Sequence, residues 1–270
     1  MPQPALQPIR GDAQAPHSPR GWAVAGALLG LSVVVIAFAP ASWLAYAVAR
    51  GTQGQVQLQE SRGSVWHGSA RLVLTGGADS RDRTALPSRL SWSLSPSLRG
   101  ARASLASACC TTAPVTVHIE PRWQGLSVAI DDSQTQLPAE LLTGLGTPWN
   151  TVDLQGQLRL ATQQLKLQWQ AGRLQSQGRT RLEALAVSSR LSPLKPLGSY
   201  RLDITGGENA QLELSTLQGD LQLSGQGQWV GSRLRFRGEA SASPEREAVL
   251  SNLLNILGRR QGGHSIITFG

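Results

Sequence analysis

The sequence contains few of the residues from which catalytic sites are built. Charged residues make up 16% of its 270 residues, below the roughly 25% of ordinary soluble domains, and it has four histidines and two cysteines. No two histidines have the spacing of a metal site, and the serine-nucleophile, phosphate-loop and dinucleotide-binding motifs are absent. We therefore predict that the protein is not an enzyme and that it has no catalytic residues, no metal site and no cofactor.

The two cysteines, Cys109 and Cys110, are adjacent in a segment rich in serine, alanine and threonine. Neighbouring Cα atoms lie about 3.8 Å apart across a trans peptide, closer than the usual disulfide span. No CxxC motif is present. Two interpretations stay open: two small residues without a special role, or a vicinal disulfide formed in an oxidising compartment.

Charge is missing altogether from one long run, residues 21–49, which Arg20 and Arg50 bracket. A membrane-spanning helix needs about 20 apolar residues, which this run supplies. We predict a disordered cytoplasmic tail over residues 1–20, a single transmembrane anchor over 21–49, and a β-rich domain over 51–270. The alternative is a cleaved signal peptide, because the end of the run resembles a cleavage site.

From residue 51 onward, apolar and polar residues alternate, most clearly over Leu214–Ala240. The apolar members of this stretch are Leu217, Leu221, Leu223, Trp229, Leu234 and Phe236. A period of two predicts strands with one apolar and one polar face. The phrase Leu154-Gln-Gly156 recurs as Leu217-Gln-Gly219, which indicates internal repetition and two similar halves, about 51–150 and 151–270.

Two segments depart from the alternation and predict short helices. Residues 137–146 carry a proline at the start, a leucine stripe and a closing glycine, and residues 243–257 begin with Ser-Pro-Glu. The predicted fold class is mainly β. A single N-terminal transmembrane helix precedes a curved, mostly antiparallel sheet, either an open barrel or sandwich-like, with repeated strand motifs and two short helices.

Three arginines, Arg233, Arg235 and Arg237, alternate along one predicted strand face in a chain of net charge +8. Such a row can bind phosphate groups or an acidic partner. It can equally keep an exposed face soluble and prevent a strand edge from pairing with other chains. Neither interpretation is excluded, and we predict no nucleic-acid partner.

Five motifs occur in an order and spacing that suggest a family. They are GSVWHGSARL at 63–72, LLTGLG at 141–146, LGSYRL at 197–202, TLQGDLQLSGQGQW at 216–229 and LLNILGRR at 253–260. With the N-terminal apolar run, they make the chain resemble the type II secretion system protein N family, an inner-membrane accessory component of the bacterial general secretion machinery. The likeness covers nearly the whole chain after residue 20.

The resemblance implies a non-enzymatic, single-pass inner-membrane protein with most of its chain in the periplasm. It would support export of folded exoproteins through contacts with other secretion subunits, namely the secretin, the inner-membrane platform or the pseudopilins. Strand addition at a sheet edge and groove contacts are the expected modes. The candidate interaction or structural residues are Gly63, Trp66, Gly68, Gly219, Gly227 and Trp229, together with Arg233, Arg235 and Arg237.

An alternative function stays open. An anchored sheet with one continuous apolar face also resembles periplasmic lipid-transfer proteins of the AsmA type, which implies lipid binding. The two functions predict different fates for the apolar face. A face closed by a second sheet or by the helices argues against lipid binding, whereas an exposed, unpartnered face favours it.

Overall fold

The computed structural model describes residues 20–77, 80–170, 173–231 and 233–270. The chain divides into two compact units, Met1–Ala39 and Pro40–Gly270. In the first unit, helix α1 covers Arg20–Ala37, and its apolar side chains are exposed to solvent. Within the described part of the chain, no helix combines the length and the apolar character needed to cross a bilayer. The anchor over residues 21–49 stays a prediction.

The apolar run predicted as one span forms two helices. Helix α1 ends at Ala37, before Pro40, and helix α2 covers Ala41–Gly51 within the second unit. A proline has no backbone N–H and disfavours helix in the residue before it, so a break at this point is expected. Helix α2 buries Ala41 and Leu44 against Ala70 and Trp92 of the sheet. Residues 41–51 are therefore part of the folded β unit.

Among the described residues, sixteen strands join one antiparallel sheet, which confirms the prediction of a mainly β, antiparallel protein. They are β1 (Val56–Gly63), β2 (His67–Thr75), β3 (Arg83–Ala85), β4 (Leu90–Ser97), β5 (Gly100–Ser107), β6 (Val115–Arg122), β7 (Gly125–Ile130), β8 (Ser133–Pro138), β9 (Gln155–Gln170), β10 (Arg173–Ser188), β11 (Gly198–Thr205), β12 (Gln211–Gly219), β13 (Leu221–Val230), β14 (Arg233–Ala242), β15 (Arg259–Gln261) and β16 (His264–Phe269).

The strands lie in nearly sequential order, β1-β2-β4-β5-β6-β7-β9-β10-β11-β12-β13-β14-β16-β15. Strand β3 pairs with β2, and β8 pairs with β9. The long strand β9 hydrogen-bonds to β7 through Leu165–Gln170 and to β8 through Gln157–Thr162. Strands from before and after residue 150, the predicted boundary between two halves, are therefore hydrogen-bonded in one continuous sheet. The similarity of the two halves stays a prediction.

Because all pairings are antiparallel, successive turns alternate between the two ends of the sheet. The turns of hairpins β1–β2, β4–β5, β6–β7, β9–β10, β11–β12 and β13–β14 lie at one end, here named the open end. The opposite end, named the capped end, holds the short helices. They are two 3₁₀ helices (Ala139–Leu145 and Pro244–Arg246), α3 (Trp149–Val152) and α4 (Glu247–Leu257).

The strand register assigns alternate residues to two faces. The apolar face carries, among others, Leu160, Leu167, Leu202, Leu212, Trp229 and Phe236; the polar face carries Arg159, Glu183, Arg201, Asp203, Gln226 and Arg237. At the capped end, α4 buries Leu250, Leu253 and Leu254 in one cluster with Tyr200 and Leu221. The helices thus cover the apolar face only in part.

Both predicted short helices are present with different details. Residues 137–146 form the 3₁₀ helix Ala139–Leu145, and Pro138 is the last residue of β8 instead of the first helical residue. Residues 243–257 form a short 3₁₀ helix followed by α4. The four-residue helix α3 has no counterpart in the sequence prediction.

Candidate functional site

Toward the open end, the apolar face is exposed to solvent. Leu126, Trp169 and Leu174 lie side by side on β7, β9 and β10, because Trp169 pairs with Leu126 on one side and with Leu174 on the other. They are 41%, 55% and 56% exposed. We name these three residues the exposed row. Side chains of this size are usually buried, so a contiguous exposed set is typical of an interaction surface.

A second exposed part of the apolar face lies near the sheet edge formed by β16 and β15. The rings of Phe236 on β14 and Phe269 on β16 are paired residues with centroids 6.0 Å apart, and Phe269 is largely exposed. The Phe236 ring lies over the backbone of Gly225 and Gly238, where an added Cβ at Gly238 would come 2.8 Å from the ring. An added Cβ at Gly227, a predicted candidate, would come 3.2 Å from the same ring. These glycines therefore allow the aromatic ring to lie flat on the sheet.

The opposite, polar face holds a cavity of 560 Å³ near β11–β14 and β16. Arg235 and Arg237 line it together with the carboxylates of Asp203 and Glu213. Asp203 accepts a hydrogen bond from Arg181 at 2.8 Å, and this contact raises the pKa of the Arg181 guanidinium. Within the described residues, Arg233, Arg235 and Arg237 make no ion pair. The predicted arginine row is exposed, and two of its members line a cavity of mixed charge.

The motif at residues 63–68 forms the tight β1–β2 turn. Gly63 pairs with Gly68, and a Cβ on Gly68 would lie 2.8 Å from the carbonyl oxygens of Arg62 and Ser64. The carbonyl oxygen of Trp66 accepts a hydrogen bond from Leu94 N at 2.6 Å. The motif therefore connects the β1–β2 hairpin to β4. Gly63, Trp66 and Gly68 each take part in this structural connection.

Gly219 occupies a backbone conformation that other residues avoid. Its φ is +135°, and Gly156, its counterpart in the repeated phrase, has φ +131°. An added Cβ on Gly219 would lie 2.5 Å from Leu197 O. The repeated phrase thus has the same glycine conformation twice. Trp229, the remaining candidate, pairs with Leu234 on the apolar face and is half-buried.

Cys109 and Cys110 form a disulfide between adjacent residues. Cys110 is buried against Leu86 and Leu141 of the 3₁₀ helix, and its carbonyl oxygen accepts a hydrogen bond from Gln136 N at 2.8 Å. The pair therefore lies in the turn between β5 and β6 and connects it to β8.

In the described ranges, no three His, Cys, Asp or Glu side chains lie close enough to hold a metal ion. Two histidines contact carboxylates, His118 with Asp131 at 3.2 Å and His264 with Glu239 at 2.8 Å; they lie on separate strands, His118 half-buried and His264 exposed.

Sequence reasoning missed the exposed row and Phe269. The alternation correctly assigns these residues to the apolar face but does not tell which part of that face is covered. The signal is their position at the ends of strands that meet in turns, since both 3₁₀ helices, α3 and α4 lie at the opposite end.

Comparison with known proteins gives one match. The family model described as "Type II secretion system (T2SS), protein N" matches residues 54–266. No curated protein and no solved structure matches the chain. The matched range begins just before β1 and ends within β16.

Proposed function

Since the chain belongs to the type II secretion system protein N family and is a type II secretion component, we propose that it works as a non-enzymatic inner-membrane subunit. In this role it supports export of folded exoproteins through protein–protein contacts in the periplasm. The single observation that carries the proposal is the family match, which spans the sheet from β1 to β16.

The proposed topology follows from the sequence. Residues 1–20 form a cytoplasmic tail, the part of the predicted 21–49 anchor before Pro40 crosses the membrane, and α2 and the sheet lie in the periplasm. The Cys109–Cys110 disulfide supports this placement, because disulfides persist in the bacterial periplasm and are rare in the cytoplasm.

The contact surface that we propose is the exposed row of Leu126, Trp169 and Leu174. A tryptophan at the centre of an interface often supplies a large share of the binding energy, and neighbouring apolar side chains exclude water around it. The partner is another secretion subunit, either the secretin, the inner-membrane platform or a pseudopilin. A sheet edge offers a second mode, because the outer side of β16 beyond Ile266 has no paired strand among the described residues.

Deletion of the gene tests the function. Exoproteins in the culture medium and permeability of the outer membrane to a large antibiotic are measured together. The proposal predicts that exoproteins accumulate inside the cell while permeability stays normal. Normal secretion would overturn it.

A second function, lipid binding as in AsmA-type proteins, is favoured by the same uncovered apolar face. Purified protein extracted with organic solvent and examined by mass spectrometry tests it. Stoichiometric phospholipid that is lost in a variant with serine at Leu126, Trp169 and Leu174 supports lipid binding. A leaky outer membrane with normal secretion in the deletion strain would make this the main function.

A further inference from the structure

The turns at the open end combine apolar side chains with arginines. In the β4–β5 turn, Leu98 is fully exposed and is followed by Arg99. In the β6–β7 turn, Trp123 is 99% exposed and follows Arg122. In β13–β14, Val230 is half-exposed and β14 begins at Arg233. Three separate hairpins therefore present the same combination at the same end of the sheet.

The charge at this end is mostly positive. Arg99 and Arg233 make no ion pair within the described residues, and Arg122 has Glu120 at 3.5 Å. The acidic exception in these turns is Glu208, between β11 and β12. The capped end carries both signs of charge, with Glu140, Asp153, Asp220 and Glu245 beside Arg190 and Arg246. The open end thus differs from the capped end in its mostly basic turns as well as in its lack of short helices.

The β unit also begins at the open end. Pro40, its first residue, forms an antiparallel bridge with Ser64 in the β1–β2 turn. From Pro40, α2 runs toward the capped end, where β1 starts at Val56. The first residue of the β unit therefore lies at the end that carries Leu98, Trp123 and their neighbouring arginines.

We propose that the open end docks onto the surface of an anionic lipid bilayer. Tryptophan and leucine insert at the level of the headgroups, where tryptophan is enriched in membrane proteins, and the arginines bind lipid phosphates. Each basic residue near an anionic surface adds a small electrostatic attraction, so several weak contacts act together. The apolar tips stand on separate hairpins. A fluid headgroup layer fits such isolated tips, whereas a protein interface needs a packed central patch.

This proposal rests on the proposed anchor, which decides on which side of the membrane the sheet lies. The experiment distinguishes a failure of the docking proposal from a failure of the anchor assignment. The full-length protein is reconstituted into vesicles of phosphatidylcholine and phosphatidylglycerol. An environment-sensitive fluorophore is attached at Gln124→Cys, beside Trp123, or at Asn255→Cys on α4 at the capped end. Both positions are exposed. The Gln124→Cys probe should shift to shorter wavelength and be quenched by nitroxide-labelled lipids several-fold more than the Asn255→Cys probe.

Charge variants test the role of the arginines. Combining Arg99→Gln, Arg122→Gln and Arg233→Gln should reduce quenching at residue 124 to the level found in vesicles of phosphatidylcholine alone. The matched control, Arg190→Gln with Arg246→Gln near the capped end, should leave it unchanged. Circular dichroism checks that each variant is folded.

Two outcomes would overturn the docking proposal. One is equal quenching at residues 124 and 255 in anionic vesicles. The other is a probe at residue 124 that stays aqueous in vesicles but is shielded in native membranes with the complete secretion machinery, which would assign the open end to a protein partner. A wrong anchor assignment gives a different result. Alkaline carbonate extraction would then release the wild-type protein from the vesicles, although the Gln124→Cys probe was quenched before extraction.

Discussion

The indole Nε1 of Trp92 on β4 donates a hydrogen bond to the carbonyl oxygen of Val65 at 3.0 Å. Val65 lies in the β1–β2 turn, and the ring of Trp92 packs over Gly68 of the same turn. The motif at residues 63–68 is therefore held by a buried aromatic residue of a neighbouring strand, which explains why it combines small residues with a fixed spacing.

Replacement of Trp92 tests this relationship. Trp92→Phe removes the hydrogen bond and leaves the Val65 carbonyl without its partner, which should lower the free energy of unfolding by about 1–3 kcal/mol. The loss is measured by urea denaturation. Trp123→Phe, at an almost fully exposed position, is the matched control and should change stability little. Equal effects of the two substitutions would contradict the structural role of Trp92.

Gly219 should not tolerate a side chain. In Gly219→Ala, the new Cβ is strained by the φ of +135° and also lies too close to the Leu197 carbonyl oxygen. We expect the free energy of unfolding to fall by about 1–3 kcal/mol. Gly51→Ala is the control, because Gly51 ends α2 and has no atom within 4 Å of an added Cβ. Thermal unfolding of both variants measures the difference. A Gly219→Ala protein as stable as Gly51→Ala would show that the repeated phrase has another conformation.

The sequence predicted the type of structure well because alternation over many strands is a strong signal. It predicted single positions less well, and Leu217 shows why. Its place in the alternating pattern assigns it to the apolar face, yet it is 41% exposed at an irregularity where the β11–β12 register shifts between Ser199 and Tyr200. A bulge inserts one residue and changes the side on which the next side chain lies, and no local residue pattern announces it.

The candidate site was predictable only in part. The sequence identified the arginine row and the glycines, whose positions in the alternating pattern are distinctive. Exposure of Leu126, Trp169 and Leu174 depends on which turns carry helices, and that is decided by the path of the whole chain. The break between α1 and α2 lay at Pro40 as expected, but the packing of α2 on Ala70 and Trp92 is a tertiary contact that hydropathy does not reveal.

Glu183 is central to the polar face and should be sensitive to neutralisation. Its carboxylate lies 2.9 Å from Arg201 and 3.4 Å from Arg159, and its side chain is only 12% exposed. Glu183→Gln leaves two guanidinium groups close together without the charge between them. The arginines are partly solvated, so we expect a loss of about 1–2 kcal/mol, less than for a fully buried pair. Urea denaturation at low and high salt measures this loss. Glu208→Gln, which removes the same charge from an exposed turn, is the control and should change stability little.

Tyr200 gives a pH-dependent prediction. It is buried and donates a hydrogen bond to Leu221 O at 3.1 Å, and burial raises its pKa above the ordinary value of 10.0. Above about pH 10 the Tyr200 phenol therefore loses its proton in the unfolded chain before it does so in the folded protein. The free energy of unfolding consequently falls as the pH rises. Tyr200→Phe should be less stable at neutral pH but should show a weaker decline above pH 10. Tyr46→Phe, at an exposed position, should behave like wild type.

The most direct test of the account is secretion by a deletion strain that carries variants of the exposed row. Leu126→Ser, Trp169→Ser and Leu174→Ser are combined, and the control combines Gln163→Ser, Gln175→Ser and Gln177→Ser on the exposed polar face of β9 and β10. Exoprotein in the medium is measured at matched membrane levels of each variant. We expect normal secretion with the control and a several-fold loss with the exposed-row variant, at unchanged outer-membrane permeability. Full secretion by the exposed-row variant would contradict the claim that this surface binds a secretion subunit.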